Sequence, residues 1–158
     1  MSSTDDFEGG SGQSSYHPPI SQDLASQHVS KFMTKNVVTV TSETSLKSAM
    51  TIMIKKEISA LPIVDTKNRC LGLFSEFDAM IQGASSQNLS APVKFSTELV
   101  CVKQDTRFRD ALILLVSKRV KRLPVVDDKG HIIGIVSRRD FLKAIIDDAN
   151  KVVPKNKK

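Results

Sequence analysis

Two short motifs in this chain carry side chains suited to holding a polar group. Ser75-Glu76-Phe77-Asp78 and Ser137-Arg138-Arg139-Asp140 each place a hydroxyl three residues before a carboxylate. An ionised Asp only accepts hydrogen bonds and has room for more than one donor, whereas a Ser hydroxyl both donates and accepts. The spacing is also that of a capping box, in which Ser takes up a free amide at a helix start and the acid complements the helix dipole. A third cluster is basic: Lys118, Arg119, Lys121 and Arg122. Arg binds phosphate through paired donors. The same four residues suit a solvated helix end just as well.

Other chemistries find no support. There is no Gly-rich phosphate loop with a Lys, no nucleophile elbow and no constellation of His, Cys and acid. His17, His28 and His131 have no ligand spacing, so no metal is expected. Cys70 and Cys101 fall in expected strands and read as buried, reduced thiols. The chain is therefore expected to be non-catalytic.

The elements that must position these motifs repeat. Arg122–Asp140 reads as strand, tight turn, strand and helix start, and the same series occurs at Ala60–Asp78, 62 residues earlier. Across 37–81 against 99–143 there are 13 identities in 45 aligned positions without a gap. Upstream of each hairpin lies an amphipathic helix, Thr44–Ile58 and Thr106–Val120. Their apolar positions match one for one: Leu46, Ala49, Met50, Met53, Ile54 and Ile58 against Phe108, Ala111, Leu112, Leu115, Val116 and Val120. Short strands are expected at Val37–Val40 and Leu99–Val102, and helices at Ile20–Met33, Glu76–Gln82 and Arg138–Asp148. One such unit cannot bury its apolar face alone, so the two should pack together around one continuous core.

These residues resemble a pair of CBS domains, the tandem called a Bateman module. The resemblance covers about residues 20–148 and rests on Phe32-Met33-Thr34, Val37–Val40, ISALPIVD at 58–65 and GLFSEFD at 72–78. The second copy has VKRLPVVD at 120–127 and GIVSRRD at 134–140. It implies an α/β (α+β) fold of two pseudo-symmetric β-α-β-β-α repeats forming one CBS pair. The expected organisation is a disordered polar tail at 1–19, a first repeat with its preceding helix at 20–82, a linker at 83–92, a second repeat at 93–148 and a basic tail at 149–158.

The resemblance also implies a regulatory module with two clefts that bind adenosine-containing ligands: AMP, ADP, ATP or S-adenosylmethionine. No cofactor is obligatory. One cleft would use Thr34, Val37, Ile58, Ser59, Ala60, Ser137 and Asp140. The other would use Ser96, Leu99, Val120, Lys121, Arg122, Ser75, Phe77 and Asp78. In each, the Asp would take ribose hydroxyls. Val37, Ile58 and Pro62 would line one adenine slot, and Leu99, Val120 and Pro124 the other, although Pro62 and Pro124 also suit plain core. Lys121 and Arg122 favour a phosphorylated ligand in the second cleft. The first would have to draw its cations from Arg138 or Arg139. Modules of this kind imply a homodimer formed through helices, and output through dimer geometry or a regulated protein partner; Ile52, Ile113 and Leu114 lie off the strict core stripe and are the interface candidates.

Composition sets the remaining bounds. The 158 residues are 40% hydrophobic, with no Trp, one Tyr and seven Phe, so a mostly aliphatic core is expected. No apolar run approaches the roughly 20 residues of a membrane span. The acidic, polar N-terminus has no signal-peptide apolar region, and a cytoplasmic location is expected. The net charge is +6, with four acids and no Lys or Arg in residues 1–28 and four Lys in 151–158. A basic body keeps nucleic-acid binding open as an alternative, although no aromatic platform or recognition helix accompanies it. A dimerisation adaptor with inactive clefts is a third reading.

Overall fold

A computed structural model describes residues 20–152. The expected disordered tail at 1–19 and the basic residues from 153 onward lie outside them. The chain order is α1 (Gln22–Ser26), a 3-10 turn (Val29–Lys31), α2 (Leu46–Lys56), β1 (Ala60–Val64), β2 (Cys70–Ser75) and α3 (Glu76–Ser85). The second half contains β3 (Val102–Lys103), α4 (Phe108–Ser117), β4 (Arg122–Val126), β5 (Ile132–Ser137) and α5 (Arg138–Val152). The fold is α+β, with two copies of one supersecondary unit.

Both hairpins form as their sequences require. β1 pairs antiparallel with β2, and β4 with β5, in equivalent registers: Ala60 faces Ser75 and Arg122 faces Ser137. Their turns need a left-handed residue, supplied by Asn68 (φ 61°) and by Gly130 (φ 84°). The turns then meet. The Cys70 amide donates to Gly130 O at 3.2 Å and the Ile132 amide to Asn68 O at 3.1 Å, so the hairpins join tip to tip across the pseudo-twofold.

The leading segments cross between repeats. Thr34 bridges to Ile135 of β5, and its counterpart Ser96 bridges to Leu73 of β2. Two glycines make room. A Cβ on Gly72 would stand 2.4 Å from Ser96 O, and one on Gly134 would stand 2.4 Å from Met33 Sδ. Crossing continues at the helix starts, where the first amides have no partner within their own helix. The Phe108 amide of α4 donates to Gln27 O, and the Leu46 amide of α2 to Ala91 O.

This exchange corrects the expectation of one continuous core. Among the described residues there are two clusters. One holds Leu61, Ile63 and Phe74 with Ala49 and Met53, and includes Val93 from the second repeat's leader. The other holds Phe108, Leu123, Val125, Val136 and Phe141, and includes Leu24 and Val29 from the chain's beginning. Phe32, Phe108 and Phe141 meet edge to face at 5.1–5.6 Å, which ties the first leader into the second repeat.

Other elements differ from expectation. Ile20–Met33 is not one helix: Gln27 and His28 are extended, because the backbone there is drawn to Thr106 and Phe108. The strand expected at Val37–Val40 is reduced to a single bridge from Val40 to Ile63, and that at Leu99–Val102 to Val102–Lys103. α3 continues to Ser85, into the expected linker, and α5 continues to Val152.

Candidate functional site

The second hairpin, the end of β2 and the second leader enclose a cavity of about 360 Å³. Ser75, Phe77, Asp78, Ser96, Leu99, Val120, Lys121, Arg122 and Pro124 all line it, together with Leu73, Glu76, Glu98 and Val100. Every residue expected for that cleft is therefore gathered at one place. The four additional residues were missed. Leu73 is brought in by its bridge to Ser96, a pairing between repeats that no local pattern encodes.

Ser75–Asp78 is a capping box at the start of α3. The Ser75 amide and hydroxyl both donate to Asp78 Oδ2 at 2.9 Å, and the Asp78 amide donates to Ser75 Oγ at 3.2 Å. One carboxylate oxygen is thus used in positioning. Among the described residues no hydrogen bond reaches Oδ1 of Asp78, which leaves an acceptor held on a rigid helix start.

Arg122 opens β4 and lines the same cavity. It is half-buried, and its Nη2 donates to Ser59 Oγ at 2.6 Å. No ion pair shorter than 4.0 Å engages it among the described residues. Burial lowers its pKa from the ordinary value; Glu76 opposes that shift and Arg138 adds to it. It remains a cation, partly desolvated and without a contacting carboxylate.

The first cleft is arranged differently. Asp140 Oδ2 accepts from the Ser137 amide at 2.9 Å and hydroxyl at 3.1 Å, as in the other box. Its Oδ1, however, accepts from Thr34 Oγ1 at 3.2 Å. Thr34, Ser137 and Asp140 are therefore brought together. Ile58 and Ser59 instead line a groove between α2 and α3 with Met50, Met53, Ile54, Glu57, Glu76 and Ala79. Ala60 is buried in β1 and Pro62 is fully buried there, while Val37 is half-buried. Arg138 lies in the matching groove between α4 and α5, and Arg139 is exposed.

Those two grooves are equivalent and apolar. The second is lined by Leu112, Leu115, Val116, Val120, Phe141, Leu142 and Ile145 with Arg119 and Arg138. Ile54 and Val116 are 79% and 65% exposed, and Met80 and Leu142 are each 61% exposed, at matching positions. Of the expected interface residues, Ile113 is exposed, whereas Ile52 and Leu114 are partly buried against the cores. Among the described residues no group of three or more His, Cys, Asp or Glu is placed to hold a metal, and no helix is long and apolar enough to cross a membrane. Cys70 and Cys101 are free.

Two interlocked α+β units with a cleft between them define a paired-repeat module. The chain belongs to the CBS domain family, whose profile matches residues 29–82 and 93–147. Among relatives, the inosine-5'-monophosphate dehydrogenase of Methanocaldococcus jannaschii is 31% identical over 124 residues, 78% of this chain. The match spans a quarter of that enzyme's length. Among solved structures, the Arabidopsis thaliana CBS-pair protein CBSX2 in complex with AMP superposes with a TM-score of 0.67 at 26% identity, over 76% of this chain and 96% of that one. The CBS domain pair of MJ0100, in complex with 5'-methylthioadenosine and S-adenosylmethionine, shares the fold with a TM-score of 0.67 at 24% identity, over 74% of this chain and 94% of that one.

Proposed function

We propose that this CBS pair is a non-catalytic regulatory module that binds an adenosine-containing phosphate ester, with AMP the representative ligand, in the cleft between Asp78 and Arg122. One observation carries the reading. A carboxylate oxygen with no partner among the described residues and a half-buried guanidinium with no ion pair line the same cavity. The two ends of a nucleotide have complementary needs: its ribose hydroxyls donate to Asp78, and its phosphate satisfies the guanidinium. Leu99, Val120 and Pro124 offer an apolar surface to the base. The volume falls within the range of small-ligand sites, and CBSX2 is a relative crystallised with AMP.

Output passes through a second copy or a regulated partner. The matched exposed residues on the α2–α3 and α4–α5 grooves support association of two copies through helices. A ligand transmits a signal by binding one arrangement of the repeats, or one dimer geometry, more tightly than another. A cytoplasmic setting, where adenine nucleotides are plentiful, accords with this role.

Calorimetric titration of wild type and Arg122→Ala with AMP and with adenosine tests the proposal. Loss of a charge-assisted contact should weaken AMP binding by about 1.5–3 kcal/mol and leave adenosine nearly unaffected. Equal loss for both ligands would refute the phosphate role. Absence of AMP binding to wild type would refute the site. Steeply salt-dependent binding of nucleic acid without nucleotide competition would favour the basic-surface alternative.

A further inference from the structure

Arg122 does not stand alone in its cleft. Its Nη2 donates to Ser59 Oγ at 2.6 Å, and the two residues belong to different repeats. Ser59 lies in the segment leading into β1, and its carbonyl accepts from the Glu76 amide at 2.8 Å, which fixes its backbone beside the start of α3. On the other side, the Lys121 carbonyl accepts from the Arg138 amide at 3.1 Å and fixes the start of β4. The hydrogen bond from Arg122 to Ser59 therefore spans two rigid anchors.

A free arginine side chain has many rotamers, and ordering it opposes binding. A guanidinium has five N–H donors in a planar fork. Ser59 engages through Nη2 alone and carries no charge, so it orients the fork without neutralising it. A carboxylate in its place would compete with a phosphate. Glu76, the one carboxylate whose charge raises the Arg122 pKa, forms no ion pair with Arg122 shorter than 4.0 Å.

We infer that Ser59 is a positioning residue that holds Arg122 ready for a phosphate, so that the first repeat sets the phosphate selectivity of a cleft whose basic group comes from the second. The inference rests on reading the Arg122 cleft as a phosphate site. It gives Ser59 a role different from contacting a ligand in the cleft of Thr34 and Asp140.

The test is a titration of wild type, Ser59→Ala and Ser59→Thr with AMP and with adenosine, alongside a thermal melt of each protein. Ser59→Ala should weaken AMP about 3- to 10-fold, the worth of one side chain that must be ordered on binding. Adenosine affinity and melting temperature should stay close to wild type, and Ser59→Thr should restore AMP binding through its hydroxyl. Unchanged AMP affinity in Ser59→Ala, or equal losses for AMP and adenosine, would overturn the positioning role while leaving the cleft itself standing. Wild type that binds neither ligand would instead overturn the cleft reading, and this inference with it.

Discussion

Thr34 Oγ1 donates to Oδ1 of Asp140 at 3.2 Å, whereas its counterpart Ser96 accepts from the Glu98 amide at 3.2 Å and makes no such bond to Asp78. The two carboxylates hold equivalent places in the repeats but differ in what remains free. In one cleft the chain's own hydroxyl takes the outward oxygen. In the other, no hydrogen bond reaches that oxygen among the described residues.

Binding should accordingly be unequal. Calorimetry with AMP is expected to give one strong site per chain. Asp78→Ala should abolish it, and Asp140→Ala should leave it within about threefold of wild type. Both substitutions remove a helix-start contact of about 1 kcal/mol, and Asp140→Ala also removes the Thr34 bond, so lost stability cannot explain a greater loss of affinity in Asp78→Ala. Two equivalent sites, or equal sensitivity to both substitutions, would contradict the asymmetry.

The crossings depend on Gly72 and Gly134. A Cβ on Gly72 meets Ser96 O at 2.4 Å and the Phe95 ring at 2.5 Å, a backbone atom and a packed aromatic. On Gly134 the nearest atom is the flexible Met33 Sδ at 2.4 Å, with Thr34 O at 3.1 Å. Urea unfolding should find Gly72→Ala destabilised by about 1–3 kcal/mol, as overpacking costs, and Gly134→Ala by less. The reverse order would show that Met33 cannot yield.

Burial pushes the Cys70 thiol up to about 11 from 9.0, although a hydrogen bond with the Gly72 backbone lowers it, and also raises that of Cys101. The thiolate is the nucleophile. At pH 8, alkylation of native Cys70 should run about 100-fold slower than that of a thiol at 9.0, and unfolding should restore the rate. The native state holds its proton where the unfolded state releases it. This contribution to stability is therefore present below pH 9.0 and declines as pH climbs towards 11. Rapid modification of the folded protein at pH 8 would contradict the burial.

The exposed faces of α2 to α5 predict association. Ile54→Glu combined with Val116→Glu places charge in both grooves, and light scattering should then report a monomer where wild type reports a dimer. Wild type that is monomeric at high concentration would contradict the proposal.

What the sequence revealed divides along physical lines. Hairpins Ala60–Ser75 and Arg122–Ser137 were legible because β-branched runs and turn residues act locally. Helix periodicity located Leu46, Ala49 and Met53 in the core, but it also enrolled Ile54, which is exposed. An apolar position records burial of some kind and does not say whether the chain's own core supplies it. Val37–Val40 is mostly apolar without being a strand, since only Val40 meets β1, through a single bridge to Ile63. The residues of the Asp78 cleft were found through family resemblance, not through spacing alone. Neither route exposed the link from Ser59 to Arg122, because side-chain partnership across 63 positions leaves no periodic trace.

The swapped leaders have a consequence for any attempt to divide the protein. Each unit lacks a piece that its sibling carries: Phe108 without Phe32, or Gly72 without Phe95, faces a gap. Two polypeptides severed near Gln87 should each be poorly structured when made separately, yet recover the native assembly when mixed. The architecture is in effect a handshake already inside one molecule, suited to a split reporter whose reunion could be tuned by a nucleotide.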